Sequence, residues 1–460
     1  MLTDAIARQF AATHRGPVVR PGDAAYDEAR RVWNGMIDRR PAIIAQCRDV
    51  ADAAHTIALA RESGLRLAVR GGGHNVAGFG TCDGGIVLDL SSMTAVTVDP
   101  AARTARVGGG AQWAQVDAAT QAHGLATTGG LVSTTGVAGL TLGGGIGWLM
   151  REHGLALDNL EEVEMVLADG RVARANASEN TELFWGVRGG GGNFGVVTAF
   201  TFRLHPVGPI VYGGALFYRA ERARELLRFW REWVPTLPDQ LTTMAVFLTA
   251  PPEPFIPDGL QGTPAIAIAL CYSGPLDQGE QLVAPLRAFA PPAADAVGPI
   301  PYVALQGMFD AGAPKGIQAY WKTEYLPALD DVAIDLLAAH AGRMGAPFAQ
   351  LHLHHLAGAV ARVPADATAF GRRTAPFILN FVGLWMDPAE ADAHITWARE
   401  GASGARRFSS GAQYLNFMGE AGESEVRAAY GPSAYARLAG LKAQVDSANL
   451  FRLNQNIPPD

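Results

Sequence analysis

LAVRGGGHNVAGFG, residues 67–80, opens on three apolar residues of strand character and runs through Arg70 into three glycines, His74 and Asn75. Glycine lets a backbone approach a ligand closely and adopt positive φ at little cost. A glycine triplet beside an imidazole therefore suits a backbone cradle with one reactive side chain. The same residues also suit a structural histidine held by loop hydrogen bonds. Arg70 suits either phosphate binding or pairing with a surface carboxylate.

The flanking sequence sets this loop in a β-α-β unit. Residues 41–45 form an apolar strand candidate. Asp49 is placed to cap a helix running through Ala60, Gly64 follows its end, and residues 65–69 form the second strand. Downstream, Asp83-Gly84 marks a turn before a strand at 86–90. Residues 96–98 and 104–107 read as a hairpin turning at Asp99-Pro100 and leading into glycines 108–110. A helix at 111–123 stops at Gly124.

The most glycine-rich block is GGLVSTTGVAGLTLGGGIG, residues 129–147. Each interior glycine costs a helix about 1 kcal/mol relative to alanine, so loops facing a ligand are expected here. A hairpin turning at Asp169-Gly170 joins residues 162–168 to 171–175. A last glycine block, 189–192, precedes a strand at 196–204. The blocks start at Gly71, Gly108, Gly143 and Gly189, in steps of 37, 35 and 46 residues, too uneven for a repeat array. Residues 190–195 match GxGxxG, but the β-branched and aromatic residues that follow predict a strand where a dinucleotide fingerprint needs a helix.

Composition changes at His205-Pro206. Glycine clusters stop, and amphipathic helices are expected at 221–234, 277–289, 330–342 and 388–401. Strands are expected between them at 244–248, 265–270, 348–356 and 377–382. This mixture predicts a second unit of α+β type, an antiparallel sheet with helices on one face. Residues 1–40 read as a helical arm and a loop.

The 460 residues are 48% hydrophobic and 18% charged, ample for a core, and the net charge of −7 carries no basic block that would mark nucleic acid as partner. Three cysteines without a CxxC fit a reducing compartment. No leader-like or bilayer-length apolar run is present, so a soluble, cytoplasmic protein without a membrane partner is expected.

His352 and His354 fall on one face of a predicted strand. They suit a wet pocket wall with an acid/base histidine, or a structural pair; no third ligand at suggestive spacing accompanies them, so no metal is assigned. Tyr414-Leu415-Asn416-Phe417 alternates like a strand, with Tyr414 and Asn416 on one face. Tyr320, Trp321 and Tyr325 are placed in the core by default.

Five stretches in order, RGGGHNVAG, VSTTGVAGLTLGGGIGWLMREHGLALDN, GGGGNFGVVTAF, YLNFM and NLFRLNQNIPP, resemble the berberine-bridge-enzyme-like flavoproteins. These belong to the vanillyl-alcohol-oxidase superfamily with its PCMH-type FAD domain. The resemblance runs from about Arg39 to the C-terminus. It implies an α+β fold: an FAD-binding domain of two α/β subdomains at residues 1–207, a substrate domain with a helix-covered antiparallel sheet at 208–410, and a segment at 411–460 returning to the FAD domain.

The resemblance further implies that His74 bonds FAD covalently through the flavin 8α-methyl group. Arg70, Gly71, Gly72, Gly73, Asn75 and Gly78 would surround it. Gly130, Val132, Ser133, Thr135, Gly136, Gly139, Leu140, Thr141, Gly143, Gly145 and Ile146 would line the cofactor, and Asn193 would join them. Val197 would lie near adenine, and Tyr414, Asn416 and Asn454 near the flavin ring and ribityl chain. Two departures stand out. Doubly linked members carry cysteine where this chain has Val132, so one link is expected, as in the bacterial 6-hydroxy-D-nicotine oxidase type and some secondary-metabolism oxidases. Many members carry glutamate as base where this chain has His352, so His352 or His354 would take the proton, with Tyr414 in the catalytic set.

The activity implied is oxidation of a CH–OH or CH–NH carbon in a small natural product, alkaloid-like amine or sugar, with O2 reduced to H2O2. Alternatives are a dehydrogenase or oxidative cyclase with another acceptor, and a non-enzymatic or zinc-binding small-molecule binder. A monomer or homodimer is expected.

Overall fold

The computed structural model describes residues 4–345 and 347–460. The N-terminal arm expected from the sequence is the helix Asp4–Thr13, and residues 1–3 of that expectation lie outside the described residues.

Three sheets organise the chain. The first is ordered Val18–Val19, Ile43–Gln46, Ile86–Asp89, Leu67–Arg70, with the last three strands parallel. The helix Val50–Ser63 carries the chain from Ile43–Gln46 over to Leu67–Arg70, and the two strands flank Ile86–Asp89. Asp49 caps that helix by accepting a bond from Asp52 N at 3.0 Å, and Gly64 ends it in the left-handed region. Register places Arg70 opposite Asp89 at the carboxyl ends of the parallel strands. The Gly71–His74 loop leaves from that edge, where open α/β sheets form their ligand crevices.

The second sheet is antiparallel, ordered Val96–Asp99, Thr104–Gly108, Val196–Arg203, Leu160–Val166, Val172–Asn176. It contains both hairpins expected from the turn signals. A strand follows residues 190–195, as their side chains require.

The third sheet has eight strands. Its six longest members run in the order Ile210–Arg219, Pro264–Tyr272, Leu241–Thr249, Gln350–His355, Phe377–Trp385 and Gln318–Leu326, the last at the edge, all antiparallel. The helices Ala223–Trp233, Leu276–Phe289, Asp331–Ala341 and Ala391–Ala405 cover one face and bury the largest core cluster with it. Part of the other face looks toward the first two sheets. Residues of the last stretch, including Val426, Tyr430, Leu438 and Ile457, pack into the core beneath the second sheet. No helix among the described residues is long and apolar enough to cross a membrane.

Two strands are not expected from the sequence, and two expectations change. The strand Ile210–Arg219 is not among those expected; it contains Gly213-Gly214, and Gly214 is needed because a Cβ there would lie 2.1 Å from Ala296 O. The strand Gln318–Leu326 is obscured by Lys322 and Glu324, yet Glu324 is buried and bonded by Ser409 Oγ. The glycine-rich block is not all loop: Val137–Leu142 is helical, because burial of Val137, Ala138 and Leu142 outweighs the single interior Gly139. Finally, Leu415–Phe417 is a 3₁₀ turn rather than a strand, since its polar side chains bond a loop instead of a neighbouring strand.

Candidate active site

One elongated cavity, about 2100 Å³ including its open mouth, runs between the glycine loops and the inner face of the third sheet.

His74 stands on its wall, directly after the Gly71–Gly73 turn. Its ring stacks on Trp33, with centroids 5.2 Å apart and planes 18° off parallel, and its Nε2 lies 3.0 Å from Thr134 Oγ1. Removal from bulk water pulls its pKa down to about 4. The ring is therefore neutral at pH 7, with a nitrogen lone pair available. The loop is held by a close backbone approach: a Cβ on Gly72 would lie 2.4 Å from Gly136 N. Arg70 pairs with the buried Asp89 at 2.7 Å, not with a surface carboxylate, and its Nη1 is buried without a partner.

Tyr414 and Asn416 clamp the second glycine loop. The Tyr414 hydroxyl accepts from Gly145 N at 2.8 Å and from Asn416 Nδ2 at 3.0 Å, while Asn416 Nδ2 also donates to Leu140 O at 2.8 Å. Burial raises the Tyr414 pKa. A Cβ on Gly143 would fall 2.1 Å from Asn416 Oδ1, so this contact needs glycine. The third loop is tied to the tail. Asn193 Nδ2 donates to Gly190 O, Asn193 Oδ1 accepts from Ile457 N at 3.0 Å, and Asn193 O accepts from the buried Lys442 Nζ at 2.7 Å. Val197 and Asn454 also line the cavity.

The opposite wall is the third sheet. Gln350, His352 and His354 alternate with Leu351 and Leu353, which turn into the core. Asn380 sits across from His352 in register. The two imidazoles lie 5.5 Å apart, edge to face. Gln350 Oε1 is 2.6 Å from His352 Nε2, so this nitrogen carries the ring proton and Nδ1 the lone pair. Burial brings the His352 pKa to about 4 and pushes that of His354 well below the ordinary range. Among the described residues no group of three His, Cys, Asp or Glu side chains is placed to hold a metal.

The cavity thus brings together His74, Arg70, Gly71, Gly72, Gly73, Asn75, Val132, Thr135, Gly136, Gly139, Leu140, Gly143, Ile146, Asn193, Val197, Tyr414, Asn416, Asn454, His352 and His354. Five expected residues lie off its wall. Gly78 packs on Ile37, Gly130 on Leu140, and Gly145 on Ala156. Thr141 is wholly buried, and Ser133 turns away to bond Asp310 through both its amide and its hydroxyl. Trp321, assigned to the core, is instead a half-buried wall residue, edge-on to Phe417 and Trp33. Tyr325 is in the core, and Tyr320 is half-buried against the largest core cluster with its hydroxyl accepting from Arg399 Nε. Sequence reasoning missed Trp33, Phe309, Gln350 and Asn380. The strand alternation that flags His352 also flags Gln350, while Trp33 carries no local signal.

The wall fits FAD. It has a glycine-lined cradle that side chains would fill, and the cavity-lining residues Arg70, Asn454 and Gln455 leave Nη1, Oδ1 and Oε1 buried without partners.

Comparison with known proteins is consistent with that fit. Residues 41–176 match the family described as FAD binding domain, and residues 413–458 the one described as berberine and berberine like. An FAD-linked oxidoreductase of Dictyostelium discoideum is 30% identical, over 99% of this chain and 97% of its own. The (R)-6-hydroxynicotine oxidase of Paenarthrobacter nicotinovorans is 30% identical, over 97% of each. The crystal structure of 6-hydroxy-D-nicotine oxidase from Arthrobacter nicotinovorans superposes with a TM-score of 0.88 at 28% identity, over 97% of this chain and 99% of that one.

Proposed function

This chain belongs to the berberine-bridge-enzyme-like family of FAD-linked oxidoreductases, and from that premise we propose that it is an oxidase whose FAD is covalently held by His74 alone. It oxidises a CH–OH or CH–NH carbon of a small organic molecule and passes the electrons to O2, giving H2O2. Residues 1–207 with 411–460 form the cofactor-binding part, and 208–410 form the substrate-binding part. The observation that carries this reading is the facing pair of walls: a neutral imidazole on a glycine turn opposite a strand presenting His352 and His354.

Bound FAD supplies the hydride acceptor and the path of electrons to oxygen. The chain's own residues do the rest. Neutral His74 offers a lone pair for bond formation, since a protonated ring could not act as nucleophile. Nε2 faces Thr134 Oγ1 at 3.0 Å, and with Nε2–H donating to that hydroxyl the Nδ1 lone pair would be the one to attach. Val132 offers no thiol for a second bond. Tyr414 and Asn416 fix the backbone at Leu140 and Gly145, a loop that would help hold the cofactor. His352, neutral at pH 7, accepts the substrate's O–H or N–H proton at Nδ1, with Gln350 fixing its tautomer.

The test is aerobic turnover with peroxide counted against product. One peroxide per product supports the oxidase. Rapid dye reduction without peroxide would replace it with a dehydrogenase.

A further inference from the structure

The substrate end of the cavity carries no formal charge. Among the described residues that line the whole cavity there is no Asp, Glu or Lys, and Arg70 is already paired with Asp89 at the far, glycine-loop end. The three lining histidines are neutral at pH 7. Flat aromatic faces dominate here: Trp33, Phe309, Trp321 and Phe417. Three polar atoms of these lining residues are buried without a partner, His354 Nε2, Asn380 Oδ1 and Trp321 Nε1, and His352 Nδ1 adds a lone pair.

These facts separate the three substrate classes open to such an enzyme. An alkylammonium or carboxylate would lose its hydration against a wall with no counter-charge, and nothing would replace that loss. A sugar presents a hydroxyl on nearly every carbon, and those turned toward the ring faces of Trp33, Phe309, Trp321 and Phe417 would lose water without replacement. A planar aromatic alcohol or phenol needs little more than what is there: ring faces to stack on and two or three hydrogen bonds.

We propose that this site selects a neutral, planar aromatic molecule with few polar groups, and that Asn380 is a specificity-determining residue which keeps the wall uncharged. The inference rests on the flavoprotein reading above for which end of the cavity takes substrate. Asn380 is 1% exposed and sits opposite His352 on the neighbouring strand. Its exact isostere, aspartate, would put an anion at that point.

The test uses three probes of one shape, 2-naphthalenemethanol, 2-naphthylmethylamine and 2-naphthoate, with glucose as a fourth, at pH 7.5. Binding to the holoenzyme is read twice, by perturbation of the flavin absorption band and by quenching of tryptophan fluorescence. The neutral alcohol is expected to bind at least tenfold more tightly than the ammonium, the carboxylate or glucose. In Asn380→Asp the preference should move at least tenfold toward the ammonium, and in Asn380→Leu the alcohol should weaken while the ammonium stays excluded. Equal or tighter binding of the ammonium, carboxylate or glucose by the unaltered protein overturns the proposal, even if both variants fail to fold. A protein without flavin absorption would count against the cofactor reading instead. Fluorescence quenching would still rank the probes in that case.

Discussion

Replacing Gly72 by alanine should leave the protein folded but unable to load its cofactor at a normal rate. Neither Gly72 nor Gly136 has a positive φ, so backbone strain is not the constraint; space is. A Cβ on Gly72 would lie 2.4 Å from Gly136 N and 2.5 Å from Gly136 Cα. Favourable contacts begin near ~3.5 Å, so the two loops must part by about 1 Å. Such overpacking costs about 1–3 kcal/mol, which a domain of this size survives. The displacement falls two residues before His74, however, and a misplacement of ~1 Å in a reacting group costs on the order of 100-fold in rate. The assay is the time course of acid-stable flavin after FAD is added to protein from riboflavin-starved cells. Gly440→Ala is the control: it lies in the helix Pro432–Val445 with open space around its Cβ position, and should gain about 0.5–1 kcal/mol. Wild-type attachment kinetics in Gly72→Ala would refute the idea that this backbone contact sets the position of His74.

Four further outcomes follow from the same geometry. His352→Ala should slow anaerobic flavin reduction by about 100-fold or more with FAD still bound; an unchanged reductive rate removes His352 from proton transfer. Thr134→Val loses the 3.0 Å contact to His74 Nε2, worth about 1 kcal/mol, and should slow covalent attachment about fivefold; kinetics matching the parent would show the contact is incidental. Lys442→Met leaves Asp446 buried without its cation and should cost about 3–5 kcal/mol in chemical denaturation; a loss under about 1 kcal/mol would contradict this. His153 and His205 stack at 3.7 Å, and burial first brings both pKa values to about 4. The unfolded chain takes up protons below its ordinary value of about 6.5 while the folded form resists until about 4, so stability falls as pH drops through that window, by at most about 3 kcal/mol per ring. His205→Phe should make the fall in melting temperature between pH 6.5 and 4 less steep, and a slope as steep as the parent's would count against the pair.

The first half of the chain was legible because its signals are local. Asp49 and Gly64 bracket a helix, Asp169-Gly170 turns a hairpin, and glycine runs mark where backbone must approach something. The pairing of His352 with His354 followed from strand period alone. What escaped was decided at long range. Leu415–Phe417 alternates like a strand, but Tyr414 and Asn416 bond Gly145 N and Leu140 O, about 270 residues away in sequence, and the turn follows from those bonds. The strand Ile210–Arg219 went unexpected, since its Gly214 is explained only by the close approach of Ala296, about 80 residues on. Ser133 was expected at the ligand, yet Asp310, distant in sequence, turns it outward. Trp33 reaches His74 from a loop with no periodicity to announce it.

The central claim is a covalent bond from His74 to the cofactor, and intact-mass measurement of the denatured protein, expressed with riboflavin and no FAD added afterwards, tests it most directly. The account predicts a polypeptide heavier by one FAD, with the added mass on the peptide containing His74 and absent from His74→Ala. Folded protein of unmodified mass would contradict it.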